Sequence, residues 1–144
     1  MRPSGLIGTD TAVCWLCWPR FNSSFVFGSL LDDDKDGEYS IRAGAAFATH
    51  RYCEENTNVL CTEIATAAGS YRVTDFAPRF AQYERHYKPL VLVRKVEPLA
   101  GTPRVRVACR PVGAYGRQAL TRRRNSNHVA YLGLEEGCFA ERRP

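Results

Sequence analysis

The chain has 144 residues, enough for one domain with a sizeable core; 44% are hydrophobic and 24% charged, and the net charge is +5. No apolar run approaches the roughly 20 residues of a membrane span, so no membrane partner is expected. The opening Met1-Arg-Pro-Ser-Gly-Leu-Ile-Gly8 has neither a long apolar segment nor a small-residue cleavage site, which predicts a cytoplasmic protein without a signal peptide.

The first predicted element is a strand over Ala12–Trp18, apolar on both faces and therefore covered on both sides. Pro19 ends it, because proline has no N–H for a ladder and fixes its own φ. Within it, Cys14-Trp-Leu-Cys17 has C-x-x-C spacing. No second ligand pair stands at metal spacing, and residues three apart on a strand face opposite ways, so the two cysteines read as small core residues. The six cysteines, at 14, 17, 53, 61, 109 and 138, read as reduced thiols. After the proline come Arg20, Phe21, Asn22 and the segment Phe25–Leu31, read as one or two helical turns. Asn22-Ser23-Ser24 is formally a glycosylation acceptor, without weight in a chain that is not exported.

Asp32-Asp-Asp-Lys-Asp-Gly37 follows as a polar hairpin turn, with Gly37 free to take positive φ. Asp32, Asp34, Asp36 and Gly37 have the spacing that begins a calcium loop, but the closing glutamate would fall at Ala43, so a solvated turn is expected. Strand signals then recur every eight to fifteen residues: Tyr39–Arg42, Phe47–Cys53, Val59–Ala67, Tyr71–Phe76, Leu90–Pro98, Val105–Pro111 and Val129–Leu132. Ala67-Ala-Gly-Ser70 reads as a hairpin turn. The expectation is an all-β, antiparallel β-sandwich, half or part of a larger sandwich, with short helical turns only.

The segment Ala77–Pro89 interrupts this rhythm with Phe80, Tyr83, Tyr87, Arg79, Arg85 and His86 between flanking prolines, as a ligand-facing loop or a packed crossover would. From Pro98 to Leu134 there are seven arginines and no acid. They could be a nucleic-acid footprint, the alternative reading. Without a recognition motif they read better as a polar sheet face meeting an acidic neighbour. His50, His86 and His128 have no metal spacing, and the adjacent pairs Glu54-Glu55 and Glu135-Glu136 cannot flank a glycosidic bond. No cofactor or metal is implied, and no catalytic residue can be named.

Several stretches, taken in order, carry a resemblance. They are Trp15-Leu-Cys-Trp-Pro-Arg-Phe-Asn-Ser23 with Val26-Phe-Gly-Ser-Leu-Leu-Asp32, Arg51-Tyr52, Asn56-Thr-Asn-Val-Leu60, Val73-Thr-Asp-Phe-Ala-Pro78, Leu92-Val-Arg-Lys-Val96 and Ser126-Asn-His128. Together they resemble the trehalase-like N-terminal domain of glycoside hydrolase family 15, over roughly Gly5 to Gly133. The resemblance implies a non-catalytic β-domain that packs on an α/α barrel. In the glucoamylases and trehalases of that family, the barrel supplies both carboxylates that hydrolyse α-glucosidic bonds. It also implies that residues 1–133 are the family domain, incomplete at its edges, followed by a divergent tail at 134–144. Asn22 stands where the family more often has aspartate.

The resemblance makes Trp15, Trp18, Pro19, Arg20, Phe21, Asn22, Arg79 and Tyr83 the candidate contacts to substrate or barrel. In the opposing reading, Trp15, Phe21 and Phe25 cap the domain's own core and Arg20 pairs with a local acid such as Asp75. An aromatic carbohydrate-binding module built on Trp15 and Trp18 is a further alternative.

Overall fold

The computed structural model describes residues 5–31, 36–134 and the backbone of 137–142. The expectations placed on 1–4, on 32–35 of the calcium-like turn and on Glu135-Glu136 lie outside these. Strands in chain order are β1 (Gly5–Ile7), β2 (Val13–Cys17), β3 (Phe25–Phe27), β4 (Glu38–Ala43), β5 (Ala46–Cys53), β6 (Leu60–Thr66), β7 (Gly69–Phe76) and β8 (Phe80–Gln82). They continue as β9 (Arg85–Tyr87), β10 (Val93–Gly101), β11 (Val105–Arg110), β12 (Val112–Gly113), β13 (Gln118–Ala119), β14 (Thr121–Arg124), β15 (His128–Leu134) and β16 (Gly137–Arg142). The protein is all-β with antiparallel sheets, as a sandwich requires. No helix long and apolar enough to cross a membrane occurs among the described residues.

The chain divides into two compact units, one of Met1–Gly8, Ala12–Ser40 and Val107–Pro144, the other of Thr9–Thr11 and Ile41–Arg106. The first holds the sheets β1-β2-β3, β12-β13 and β14-β15-β16. Val13, Leu16, Cys17, Phe25, Val26 and Phe27 are buried there, as are Val129 and Tyr131 of β15. The expected helical turns at 25–31 are not formed. Phe25–Phe27 is a strand buried at every residue, because Leu16 and Cys17 of β2 offer it a ladder, and only 29–31 turn. Gly37 has φ 83°, and a Cβ there would come within 2.6 Å of the Val26 carbonyl oxygen. Only glycine fits that approach.

The second unit is built on the sheet β10-β7-β6-β5, closed by the predicted turn at Ala67-Ala68. Alternation along β7 sends Tyr71, Val73 and Asp75 inward. Tyr71 and Val73 join Ile41 and Ile64 in one cluster, with Ala43 and Val105 against it. Tyr71 is 1% exposed. Its hydroxyl donates to the Ile41 carbonyl at 3.5 Å and accepts from the Ala43 amide at 3.1 Å. Burial pushes its pKa up, since the phenolate would have to be desolvated.

Asp75 is the polar anchor of this interior. Arg94, directly opposite on β10, donates to it at 2.7 and 3.4 Å, and both side chains are 1% exposed. Arg94 also donates to the Thr11 carbonyl, and the Thr11 hydroxyl donates to the carbonyl of Ile41. The proposed Arg20 partner of Asp75 is thereby corrected. The acid is taken by an arginine that strand register, not chain proximity, brings to it.

Candidate functional site

Two hairpins carry the candidate residues, one in each unit. The first joins β2 to β3 through residues 18–24. The Trp18–Pro19 peptide is cis. The Trp18 amide donates to the Ser24 carbonyl at 3.4 Å, and within the loop Ser23 N donates to Arg20 O at 3.1 Å and Arg20 N to Ser23 Oγ at 3.3 Å. These bonds fold 20–23 into a tight turn. The root of the hairpin is packed: Trp15 lies 5.0 Å from Phe25 between ring centroids, and Phe25 meets Tyr115 edge-on at 5.7 Å. Trp15, Trp18 and Pro19 are half-buried. The tip is not packed. Arg20 and Asn22 are exposed, Phe21 is 45% exposed, and Arg20 makes no ion pair among the described residues.

Neither simple arrangement of this loop is realised in full. Phe25 caps the core of its unit while Arg20, Phe21 and Asn22 project from it. Burial pushes the Cys17 thiol up, partly offset by its hydrogen bond with Trp15. Cys14 is half-buried and donates to the Ala12 carbonyl at 3.5 Å. A raised thiol pKa suits a packing residue better than a nucleophile.

The second hairpin occupies the segment that broke the strand rhythm. Phe80–Gln82 and Arg85–Tyr87 pair in register, and a two-residue turn joins them at Tyr83 and Glu84. Both turn residues have positive φ, 49° and 61°. That geometry matches the twist of a hairpin but normally selects Asn-Gly. Every residue of the two strands is exposed, and Tyr83 at the apex is 84% exposed. The rings of Phe80 and Tyr87 stack across the strands at 5.4 Å and 15°. Residues 57–59 and 76–80, the latter running into the first residue of this hairpin, line a pocket of about 520 Å³, with Arg79 and Phe80 among the lining residues.

Sequence reasoning missed this pocket, although two of the stretches it singled out, Asn56–Leu60 and Val73–Pro78, form the walls. The spacing between them gave no hint that they meet. They do so because β6 and β7 pair Leu60 with Asp75, which sets the preceding and following loops side by side.

Several titratable groups elsewhere form ion pairs. Glu63 accepts from both Nε and Nη2 of Arg72, at 3.0 and 2.7 Å, and from the Tyr52 hydroxyl at 3.3 Å. The Arg72 bond holds the Glu63 carboxyl below the usual range, and the same bond raises Arg72. Asp10 pairs with Arg42, Glu38 with Arg110, and Glu97 with Lys95. Of the acid-free arginine run, Arg104, Arg106, Arg117 and Arg122-Arg-Arg124 are exposed. His50 lies against Tyr52 at 5.3 Å, and His128 contacts Asn125 and Asn127. No cluster of three metal-ligating side chains occurs among the described residues.

The family model described as "Trehalase-like, N-terminal" matches residues 1–139. The chain is 36% identical over 80 residues to a trehalase of Thermoplasma volcanium, covering 54% of this chain and 13% of the relative. It is 35% identical over 86 residues to trehalase 1 of Sulfolobus acidocaldarius, covering 54% and 15%. With a trehalase of Thermoplasma acidophilum it shares 33% identity over 113 residues, covering 76% and 19%. The chain thus spans less than a fifth of the length of these relatives. No solved structure matches it. On the match to residues 1–139, the chain belongs to the trehalase-like N-terminal domain family.

Proposed function

We propose that this chain is the non-catalytic N-terminal β-domain of a family 15 glycoside hydrolase, a cytoplasmic enzyme of trehalase or glucoamylase type acting on α-glucosides. Its partner is a catalytic α/α barrel, which supplies the acid and the base. The observation that carries the reading is the family match over residues 1–139, joined to relatives named as trehalases that are several times longer. Of the described acids, Glu63, Asp75 and Glu38 are each held by an arginine of another strand, a structural use of those carboxylates.

In this reading residues 1–133 form the family domain and 134–144 a divergent tail, whose strand β16 adds to β15. Trp15, Trp18, Pro19, Arg20, Phe21 and Asn22 form the arm toward the barrel, and Arg79 and Tyr83 lie at the substrate side. The exposed Arg20 guanidinium offers a rigid fork of donors suited to a carboxylate or to sugar hydroxyls.

The test is a chimera in which this chain replaces the matching residues of the Thermoplasma volcanium trehalase. The chimera should cleave trehalose, and the isolated chain should release no glucose. Glucose release by the isolated chain, abolished by changing one of its own carboxylates, would overturn the reading.

A further inference from the structure

The pocket that Phe80 of the second hairpin helps to line has a size and a wall chemistry that the fold itself does not explain. Its volume of about 520 Å³ lies within the range of small-ligand sites. Thr57 does not read a ligand: its hydroxyl donates to the Glu54 carbonyl at 2.8 Å and accepts from Val59 N at 3.1 Å, which shapes the wall. Asn58 and Arg79 are exposed and carry planar groups with several donors. Phe80, 47% exposed, is held by its stack on Tyr87 so that a ring stands at the pocket edge. A flat ring beside an amide and a guanidinium suits a ligand with one C–H face and a rim of hydroxyls.

The turn of the hairpin that Phe80 opens supplies a second, independent observation. Residues with side chains as large as those of Tyr83 and Glu84 rarely occupy the left-handed region, and each such residue costs of order 1–3 kcal/mol. Strain of this kind, on a hairpin exposed along its length, is what a surface kept for recognition shows.

We propose that this pocket, with the Phe80 ring on its lining, binds one pyranose unit of a neutral α-glucoside. Asn58 and Arg79 donate to its hydroxyls. The choice of α-glucoside rests on the function proposed above; the choice of a neutral pyranose rests on the wall chemistry.

The experiment is an NMR amide-shift titration of the chain with trehalose and, separately, with methyl α-glucopyranoside and inorganic phosphate. Saturable shifts confined to 57–59, 76–80 and 85–87 are expected with both sugars, unchanged in high salt. Asn58→Ala and Arg79→Gln should each weaken binding about five- to tenfold, the usual worth of one hydrogen bond, with an unchanged melting temperature. Phe80→Ala should abolish it.

No saturable shift with either sugar overturns the proposal. So do shifts with phosphate alone, which would make Arg79 an anion site, and so do Asn58 and Arg79 variants that bind normally. A trehalose-cleaving chimera together with a chain that binds no sugar removes the pocket and leaves the domain's function standing. Sugar binding by a chain whose chimera is inactive does the reverse.

Discussion

The two hairpins are built from similar residues and reach opposite ends. Both hold aromatic side chains around a short turn with an arginine close by. In the β2–β3 hairpin the rings of β3 point inward: Phe25 and Phe27 are 2% and 0% exposed, Trp15 is half-buried against Phe25, and the turn is exposed at residues 20–22. In the β8–β9 hairpin the rings pair with one another and remain exposed. The difference lies in what each is attached to. Strand β2 has β1 on its other edge, so β3 adds to an existing sheet and inherits its core. Strands β8 and β9 pair only with each other, and an isolated two-stranded ribbon is marginal by itself. An aromatic-rich segment therefore does not announce whether it is core or contact surface. Its neighbours on the sheet decide.

The largest loss should come from the interior of the second unit, where Asp75 and Arg94 are paired. Arg94→Met strands the Asp75 charge in the interior and should cost about 3–5 kcal/mol, read as a lower urea midpoint. Changing Asp75→Leu in the same chain should recover most of that loss.

Next in size is the aromatic comparison itself. Phe25→Ala should cost about 3–5 kcal/mol, as a buried ring does, whereas Phe80→Ala should cost less than about 1 kcal/mol for an exposed ring in a stack. Equal midpoints for the two variants would erase the distinction between the hairpins.

A smaller effect of opposite sign is expected at the strained turn. Replacing Tyr83→Asn and Glu84→Gly together should raise stability by about 1–2 kcal/mol, since Asn-Gly takes this geometry with little strain and the glycine's added chain entropy offsets part of the relief. Slower amide exchange at 80–87 would report it locally. The smallest effect belongs to the first hairpin's tip. Phe21→Ser should move stability by no more than about 0.5 kcal/mol, the usual range for a surface change, while lowering the activity of the trehalase chimera.

Much of the second unit was legible because its strands are long enough to alternate. Tyr71, Val73 and Asp75 announce one face of β7, and the 7-residue β6 leaves a similar pattern. Strands of two to four residues have no period to read. Phe25–Phe27 is uniformly apolar, so its local sequence does not separate a strand from a helical turn. Thr121–Arg124 is polar throughout because every residue is exposed, which hides β14 among loop residues. At the sites, the exposure of Arg20 and Phe21 was one of two arrangements the sequence left open, and the pocket was not legible at all. Its walls come from two loops that only the β6–β7 register unites. The partner of Asp75 was illegible for the same reason.

That register has an end stop. At the far end of the sheet Gly69 lies opposite Gly101, so close that a Cβ on Gly69 would stand 2.2 Å from the Ala100 carbonyl oxygen. Between this pair and Asp75–Arg94, the β7–β10 ladder shifts by one residue between Pro98 and Ala100, leaving Leu99 without a partner. Leu99 is therefore spare length. Deleting it would straighten the ladder and leave every other side chain of β10 on its present face. Deleting Lys95 instead could preserve both end pairs only by using up that spare residue, and Glu97 would then turn inward opposite Val73. The tolerance of this strand to insertion and deletion is thus concentrated at a single position, which a comparison of β10 lengths among relatives would reveal as gaps falling at Leu99.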